Sequence, residues 1–278
     1  MTDYTEKLIQ MALEEDIGPG DITTDPIVAP ECSGTAQIVA KEPLVIAGLD
    51  IGRRVFAHLD PDIRYDAEYA DGDTVEKGGI VVRLEGKLHA LLKGERTALN
   101  FLQRLSGIAT HVRSFVSILG DRSVKLVDTR KTAPGWRVLE KYAVRMGGGA
   151  NHRMGLYDGV LIKDNHIAAG GGIRKAVEKV RKSISHLMKI EVEVTNMAEV
   201  AEALDAGADV IMLDNMDIPS IREAVAFIAG RALVEVSGNV SKDRLISLAD
   251  TGVDLISCGA LTHSARSVDL SMRINATV

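Results

Sequence analysis

Seven cationic side chains gather in residues 128–167: Arg130, Lys131, Arg137, Lys141, Arg145, Arg153 and Lys163. Against them stand Asp128, Glu140, Asp158 and Asp164, so the segment is locally positive by about +3 in a chain whose formal net charge is −6. That reversal points to an anionic ligand. Two apolar, strand-like runs frame the segment: VKLVD ends at Asp128 and leads into Arg130 and Lys131, and GVLIK ends at Lys163. Cations therefore stand where strands stop. Between them, the run Gly147, Gly148, Gly149 offers backbone N–H groups that a ligand could approach closely, and His152 and Arg153 follow at once. Arginine presents a planar fork matched to a carboxylate, and lysine a compact point charge. The plain alternative is that some of these cations only pair with Asp128, Asp158 or Asp164 at the surface, where pairs contribute little. For Arg137, Lys141 and Arg145, spaced four apart on a helix starting near Trp136, an exposed helical face is the better reading. For Lys131 and Arg153 ligand binding is the better reading; Lys163, closing a strand, fits either binding or a Schiff base.

Carboxylates form a second set. Glu191 and Glu193 in KIEVEV share one strand face while Val192 and Val194 share the other. On a face turned to a packed interior a carboxylate needs a cation or a metal. Asp214 follows VIML, where an ordinary helix N-cap competes with a functional role. Ser237 and Gly238 open SGNVSKDRL, and Gly259 and His263 lie in GALTHSARS. Loops of this kind, with helix N-termini, build phosphate sites in barrels, although Ser and Gly also serve plain turns. Cys258 and His166 read as structural rather than nucleophilic.

These residues need elements to position them. Residues 4–15 place Leu8, Met11 and Ala12 at helical spacing before a Gly18, Pro19, Gly20 stop. Residues 35–48 and 74–88 alternate as a small, mostly antiparallel sheet. Leu88, Leu92, Leu99, Leu102 and Leu105 then mark a helix with one buried face, which Gly107 is expected to break ahead of a second helix to Leu119. From Lys125 onward, VKLVD, GVLIK, KIEVEV, VIML, ALVEVS and LISCG alternate with amphipathic intervals, the pattern of a parallel βα sheet. Closed into a barrel, such strands carry function at their C-terminal ends, where Arg130, Lys131, Lys163, Glu193, Asp214, Ser237 and Gly259 fall. Six strands are fewer than eight, so the barrel is expected to be incomplete.

Composition narrows the function classes. The 278 residues, 46% of them hydrophobic, can bury one large core or two modest ones. An acidic N-terminus and the lack of a long apolar run argue for a cytoplasmic protein without a membrane partner. Two cysteines, without metal spacing, argue against a zinc site, and the net negative charge argues against nucleic acid.

The combination DTRKTxPG and GGGxNHRxGLxDxxLIKxNHI resembles the signature of the quinolinate phosphoribosyltransferase family, also called nicotinate-nucleotide pyrophosphorylase (carboxylating). The resemblance continues through EEDIGPGDITT at 14–24, ERTALNFLQRLSGIAT at 95–110, IEVEV at 190–194, MLDN at 212–215 and GALTHS at 259–264. It implies an α/β protein: an N-terminal α+β domain (1–110), then a smaller, incomplete α/β barrel (111–278) of the type II phosphoribosyltransferase kind. The last few residues could return to the first domain. The implied reaction is transfer of phosphoribose from phosphoribosyl pyrophosphate to quinolinate with decarboxylation, a step of NAD biosynthesis. The resemblance puts Arg96, Arg130, Lys131, His152, Arg153 and Lys163 at the quinolinate end, and Thr129 joins them as a substrate-binding residue. It gives the ribose and Mg²⁺ to Glu193 and Asp214; the 5′-phosphate candidates, from the loops after the last two strands, are Ser237, Gly238, Gly259 and His263. Lys131, Lys163, Glu193 and Asp214 form the implied catalytic set. Asn239 departs from the pattern, standing where many relatives carry a further glycine. The implied assembly is a homodimer with Arg96 serving the partner's site; higher oligomers stay open. Rival readings are a molybdenum-transport-associated paralogue, a Schiff-base aldolase using Lys163 and a non-catalytic phosphate-binding barrel.

Overall fold

A computed structural model describes residues 3–276. The chain divides into two compact units: the first takes the chain up to Arg113, Pro134–Gly148 and everything from Ala265, and the second takes Ser114–Ala133 and Gly149–Ser264. A single cut near residue 110 therefore omits one excursion, in which Pro134–Gly148 joins the first unit.

The first unit opens with α1 (Asp3–Ile17) and the short α2 (Thr24–Ile27). The buried stripe of α1 is Thr5, Ile9 and Leu13, whereas Met11, expected inside, is exposed. Strands β1 (Ser33–Ala40) and β2 (Leu44–Val45), helix α3 (Leu49–Leu59), then β3 (Arg64–Ala67), β4 (Thr74–Val75) and β5 (Ile80–Lys87) follow. Strands β1, β3 and β5 join the chain's last strand, β12 (Leu270–Ala276), in an antiparallel sheet ordered β12-β1-β5-β3. The chain's last strand thus pairs with β1 as far as Ala276; Thr277 and Val278 lie outside the described residues.

Helix α4 runs unbroken from Leu88 to Leu119, contrary to the expected break at Gly107. A Cβ at Gly107 would lie 2.1 Å from the Arg266 carbonyl oxygen, so this glycine permits close backbone approach without ending the helix. Helix α5 (Arg137–Met146) buries Lys141 completely, correcting its expected place on an exposed face. Beside it, buried Glu140 accepts from Arg104 Nη2 at 2.8 Å.

The second unit holds the parallel sheet: β6 (Lys125–Val127), β7 (Val160–Ile162), β8 (Ile190–Val194), β9 (Val210–Asp214), β10 (Leu233–Ser237) and β11 (Leu255–Ser257). Their order is β6-β11-β10-β9-β8-β7, with β6 and β7 at opposite edges, so the barrel is incomplete as expected. Helices α6 (Asp164–Gly170), α7 (Ile173–Ser183), α8 (Met197–Asp205), α9 (Ile218–Ile228) and α10 (Lys242–Ala249) make the crossovers from β7 to β11, and α11 (Ala260–His263) follows β11. Val192, Val194, Ile211, Leu213 and Val236, buried to 2% exposure or less, form the sheet's packed face. Covered on both faces, such strands read as near-continuous apolar runs, and a charged residue within one stands out.

Candidate active site

The C-terminal ends of these strands surround a cavity of about 600 Å³. Its lining includes Thr129, Arg130, Lys131, His152, Arg153, Lys163, Glu193, Asp214, Ser237 and Gly238, together with Asn215, Glu235, Asn239 and Ser257. Alternation places Leu161 with Lys163, Met212 with Asp214, and Glu235 with Ser237 on the cavity side of their strands. Parallel pairing sets Ser237 beside Asp214.

Residues 149–153 are carried to this end of the sheet by Ala150, which bridges to Val127 and donates its N–H to the Leu126 carbonyl at 2.8 Å. Buried Asp128 then accepts from Asn151 Nδ2 at 2.6 Å and from the His152 N–H at 2.9 Å. Asp128 thus folds the loop that carries Arg153, a different role from the surface ion pair considered for it. Arg153 donates from Nη1 to the Gly159 carbonyl at 3.0 Å, while its Nε is buried without a hydrogen-bond partner. Burial, and then the charge of Arg130, hold the Arg153 guanidinium below its ordinary pKa. A buried donor next to a second cation suits an anion, above all a carboxylate that meets the planar fork.

The Gly147–Gly149 run does not form the expected ligand cradle. Gly147 N–H donates to the Ala143 carbonyl at 3.0 Å and Gly148 N–H to the Arg145 carbonyl at 2.9 Å, so both close the C-terminus of α5. A Cβ at Gly147 would meet the Ala109 carbonyl oxygen and Val112 at 2.6 Å, a packing reason for glycine.

At the rim, Lys163 forms an ion pair with Glu193 across β7 and β8. Asp214 accepts from Asn215 Nδ2 at 2.8 Å, and the N-cap of α9 is Asp217, which accepts from Ser220 N–H at 2.9 Å. Asp214 therefore remains a cavity carboxylate and is not a cap. Thr262 Oγ1 donates to the Lys131 carbonyl at 2.7 Å, fastening the Thr129–Lys131 turn to α11. Gly259 and His263 stay outside the lining, although a Cβ at Gly259 would lie 2.7 Å from Lys131 Cδ. Arg96 is exposed on α4 in the first unit and is not among the lining residues. His166 accepts the Lys163 N–H through Nδ1 at 3.0 Å, and the thiol of Cys258 is buried with its pKa raised by desolvation. Both fit the structural reading.

Gly238 has φ +93°, and a Cβ there would fall 2.2 Å from Asn215 Oδ1. Asn239 follows at φ +48°, donating from Nδ2 to Asn215 Oδ1 at 3.2 Å. Asparagine tolerates this left-handed backbone, so the departure at 239 keeps the turn a glycine would make.

Glu235 escaped the sequence reading, although a glutamate in the middle of ALVEVS was the available signal. It is 1% exposed and is aimed at Glu191 and His152. His152 Nδ1 accepts the Arg153 N–H at 2.8 Å, so Nε2 carries the proton and donates to Glu191 Oε2 at 2.9 Å. The ligand atoms of the three side chains lie within 4.8 Å of one another, but Nε2 has no lone pair to give a metal in this tautomer.

The quinolinate phosphoribosyl transferase C-terminal domain family matches residues 108–273, and the corresponding N-terminal domain family matches residues 21–106. This chain belongs to the quinolinate phosphoribosyltransferase family. It is 46% identical to a probable nicotinate-nucleotide pyrophosphorylase [carboxylating] of Bacillus subtilis (strain 168), across 97% of this chain and 93% of that one. It is 41% identical to quinolinate phosphoribosyltransferase [decarboxylating] 1 of Nicotiana glauca, across 96% and 81%. Among solved structures, NadC from Streptococcus pyogenes superimposes with a TM-score of 0.96 at 41% identity, covering 100% of this chain and 99% of that one.

Proposed function

We propose that this member of the family transfers the phosphoribosyl group of phosphoribosyl pyrophosphate to the ring nitrogen of quinolinate. Decarboxylation then gives nicotinate mononucleotide, pyrophosphate and CO₂, a step of NAD biosynthesis. The observation that carries the reading is the buried, unpartnered Nε of Arg153 in a cavity shared with Arg130, Lys131 and Lys163. Arg153 and Arg130, with Lys131, take the two pyridine carboxylates and fix the ring for in-line attack. The ring nitrogen already has its lone pair, so no general base is required. Departure of pyrophosphate leaves a sugar of oxocarbenium character, which Glu193 and Asp214 stabilise and orient through the ribose hydroxyls. After CO₂ leaves, the electron pair at ring carbon 2 is stabilised by the adjacent cationic nitrogen, and the surrounding cations hold the remaining carboxylate. Ser237 and Gly238, beside Asp214, receive the 5′-phosphate, with Gly259 and His263 assigned to the same group.

The donor set also suits Mg²⁺: two carboxylates on neighbouring strands offer hard oxygen ligands, and Glu193 spends one oxygen on Lys163. Glu193 and Asp214 would hold the ion, which when bound neutralises charge on the diphosphate. The working form is assigned as a cytoplasmic homodimer in which exposed Arg96 serves the quinolinate of the partner subunit. No helix among the described residues is long and apolar enough to cross a membrane. The test mixes the protein with quinolinate, phosphoribosyl pyrophosphate and Mg²⁺. Stoichiometric CO₂ and nicotinate mononucleotide are expected, and absence of both removes the reading.

A further inference from the structure

Two asparagines with left-handed backbones line the cavity, and the reaction above does not use them: Asn215 after β9, at φ +54°, and Asn239 after β10, at φ +48°. Asparagine tolerates such a backbone, so a plain turn role would account for each one alone. Their mutual geometry goes further. Asn215 N–H donates to the Ser237 carbonyl at 3.0 Å, continuing the register that sets Ser237 beside Asp214. A Cβ at Gly238 would fall 2.2 Å from Asn215 Oδ1, so the glycine leaves the room that the Asn215 amide fills. From there Asn215 Nδ2 donates to Asp214 Oδ2 at 2.8 Å, and Asn215 Oδ1 accepts from Asn239 Nδ2 at 3.2 Å. The polarity of this chain is set from its end. A carboxylate offers only acceptors, so the Asn215 amide must turn its NH₂ group to Asp214 and its oxygen away. That oxygen then needs a donor, which Asn239 supplies. Asn239 is itself held, because its carbonyl accepts from Arg244 Nη1 on α10 at 3.3 Å.

We propose that the Asn239 side chain is a positioning group for Asp214: through Asn215 it fixes the carboxylate assigned to the ribose, and so ties the turn after β10 to the reacting end of the cavity. In this role its amide touches no reacting atom. Glycine at 239 would make the same turn but would leave Asn215 Oδ1 without its donor, so the side chain adds what the backbone alone does not require. In the open cavity water competes for both hydrogen bonds. Filling of the cavity by substrate excludes that water and strengthens both bonds where Asp214 works. The inference rests on the proposed reaction only for the part Asp214 plays in turnover, because the orientation of the Asn215 amide can be read without it.

The experiment is a cycle of Asn239→Gly, Asn215→Gly and the double variant, since glycine accepts both left-handed backbones and removes only the amides. In ¹H–¹⁵N NMR spectra of the ligand-free wild type, the Asn215 side-chain amide is recognised by its disappearance in Asn215→Gly. It gives two well-separated proton resonances, one of them held on the Asp214 carboxylate. Asn239→Gly collapses that separation. In steady-state kinetics Asn239→Gly lowers kcat about fivefold, the scale of one hydrogen bond, and leaves the quinolinate KM within about twofold of wild type. The quinolinate end is spared because Arg130, Lys131 and Arg153 lie in other loops. Asn215→Gly lowers kcat at least as much, and the double variant is no worse than Asn215→Gly alone, because Asn239 acts only through Asn215. An Asn215 signal that Asn239→Gly leaves unchanged overturns the proposal, as do kcat losses that multiply in the double variant, or a quinolinate KM that rises as much as kcat falls. A wild-type protein with the expected amide signal but no CO₂ release refutes the reaction and leaves the positioning network standing.

Discussion

Strand β8 carries two glutamates on one face, and they live in different chemistry. Glu193, at the rim, pairs with Lys163, whose side chain is 44% exposed, so water reaches the pair. Glu191, one strand pleat deeper, meets the His152 ring and a second buried carboxyl. A shift of two residues along one strand thus separates a carboxylate available to ligands from one committed to the fold. Depth decides the partner, because water screens and replaces contacts at the rim but not at the floor.

The largest test of this contrast falls on the residue that links the two layers. Arg153→Ala is expected to cost quinolinate binding about 2–5 kcal/mol, because it strips the carboxylate of a desolvated cation. Phosphoribosyl pyrophosphate binding should change far less, and calorimetry giving equal losses for both ligands would break the assignment. At the rim, Glu193→Gln and Asp214→Asn should lower kcat by about 10²-fold, the scale on which a lost transition-state contact is felt. Quinolinate affinity in the absence of metal should stay unchanged. A variant that keeps wild-type kcat through a Mg²⁺ series has no such role.

Arg96 sharpens the contrast in a different way, since it is proposed to complete the rim from outside the subunit. Arg96→Ala and Lys163→Ala, each inactive alone, would be unfolded together and refolded. Random pairing should then restore ~25% of wild-type sites, because half of the dimers are mixed and each mixed dimer has one intact site. No recovery, with mixed dimers confirmed by native mass spectrometry, excludes the shared site.

The smallest effect concerns the floor and stability alone. Burial, and then the charge of Glu191, push the Glu235 carboxyl up from an ordinary 4.5 to about 7. The folded chain therefore holds a proton that the unfolded chain releases between those values. That contribution to stability is complete below pH 4.5 and is lost as pH rises through 7. Glu235→Gln lacks this dependence, so its urea midpoint should improve relative to wild type on going from pH 5 to pH 8. A difference between the two proteins that does not vary with pH contradicts a proton held at Glu235.

Much of this protein is legible in one dimension because the relevant periodicities are local. Six apolar runs spaced by amphipathic segments specify a parallel βα sheet, and polar residues at the ends of those runs mark the functional end. The cluster of Arg130, Lys131, Arg153 and Lys163 is likewise visible as a local excess of charge. What could not be read depends on contacts between segments far apart in sequence. Gly107 looked like a helix stop because the approaching backbone of Arg266 is 159 residues away in the chain. Lys141 looked exposed because spacing on a helix gives a face but not what covers it. Glu235 looked like one more strand residue until β8 and the Ala150 bridge brought Glu191 and His152 to it. Sequence alone determined which residues are charged, which faces alternate and where strands stop. Tertiary structure decided how deep each charge lies and which neighbour it meets, and at a buried site those two quantities set protonation, tautomer and thus role.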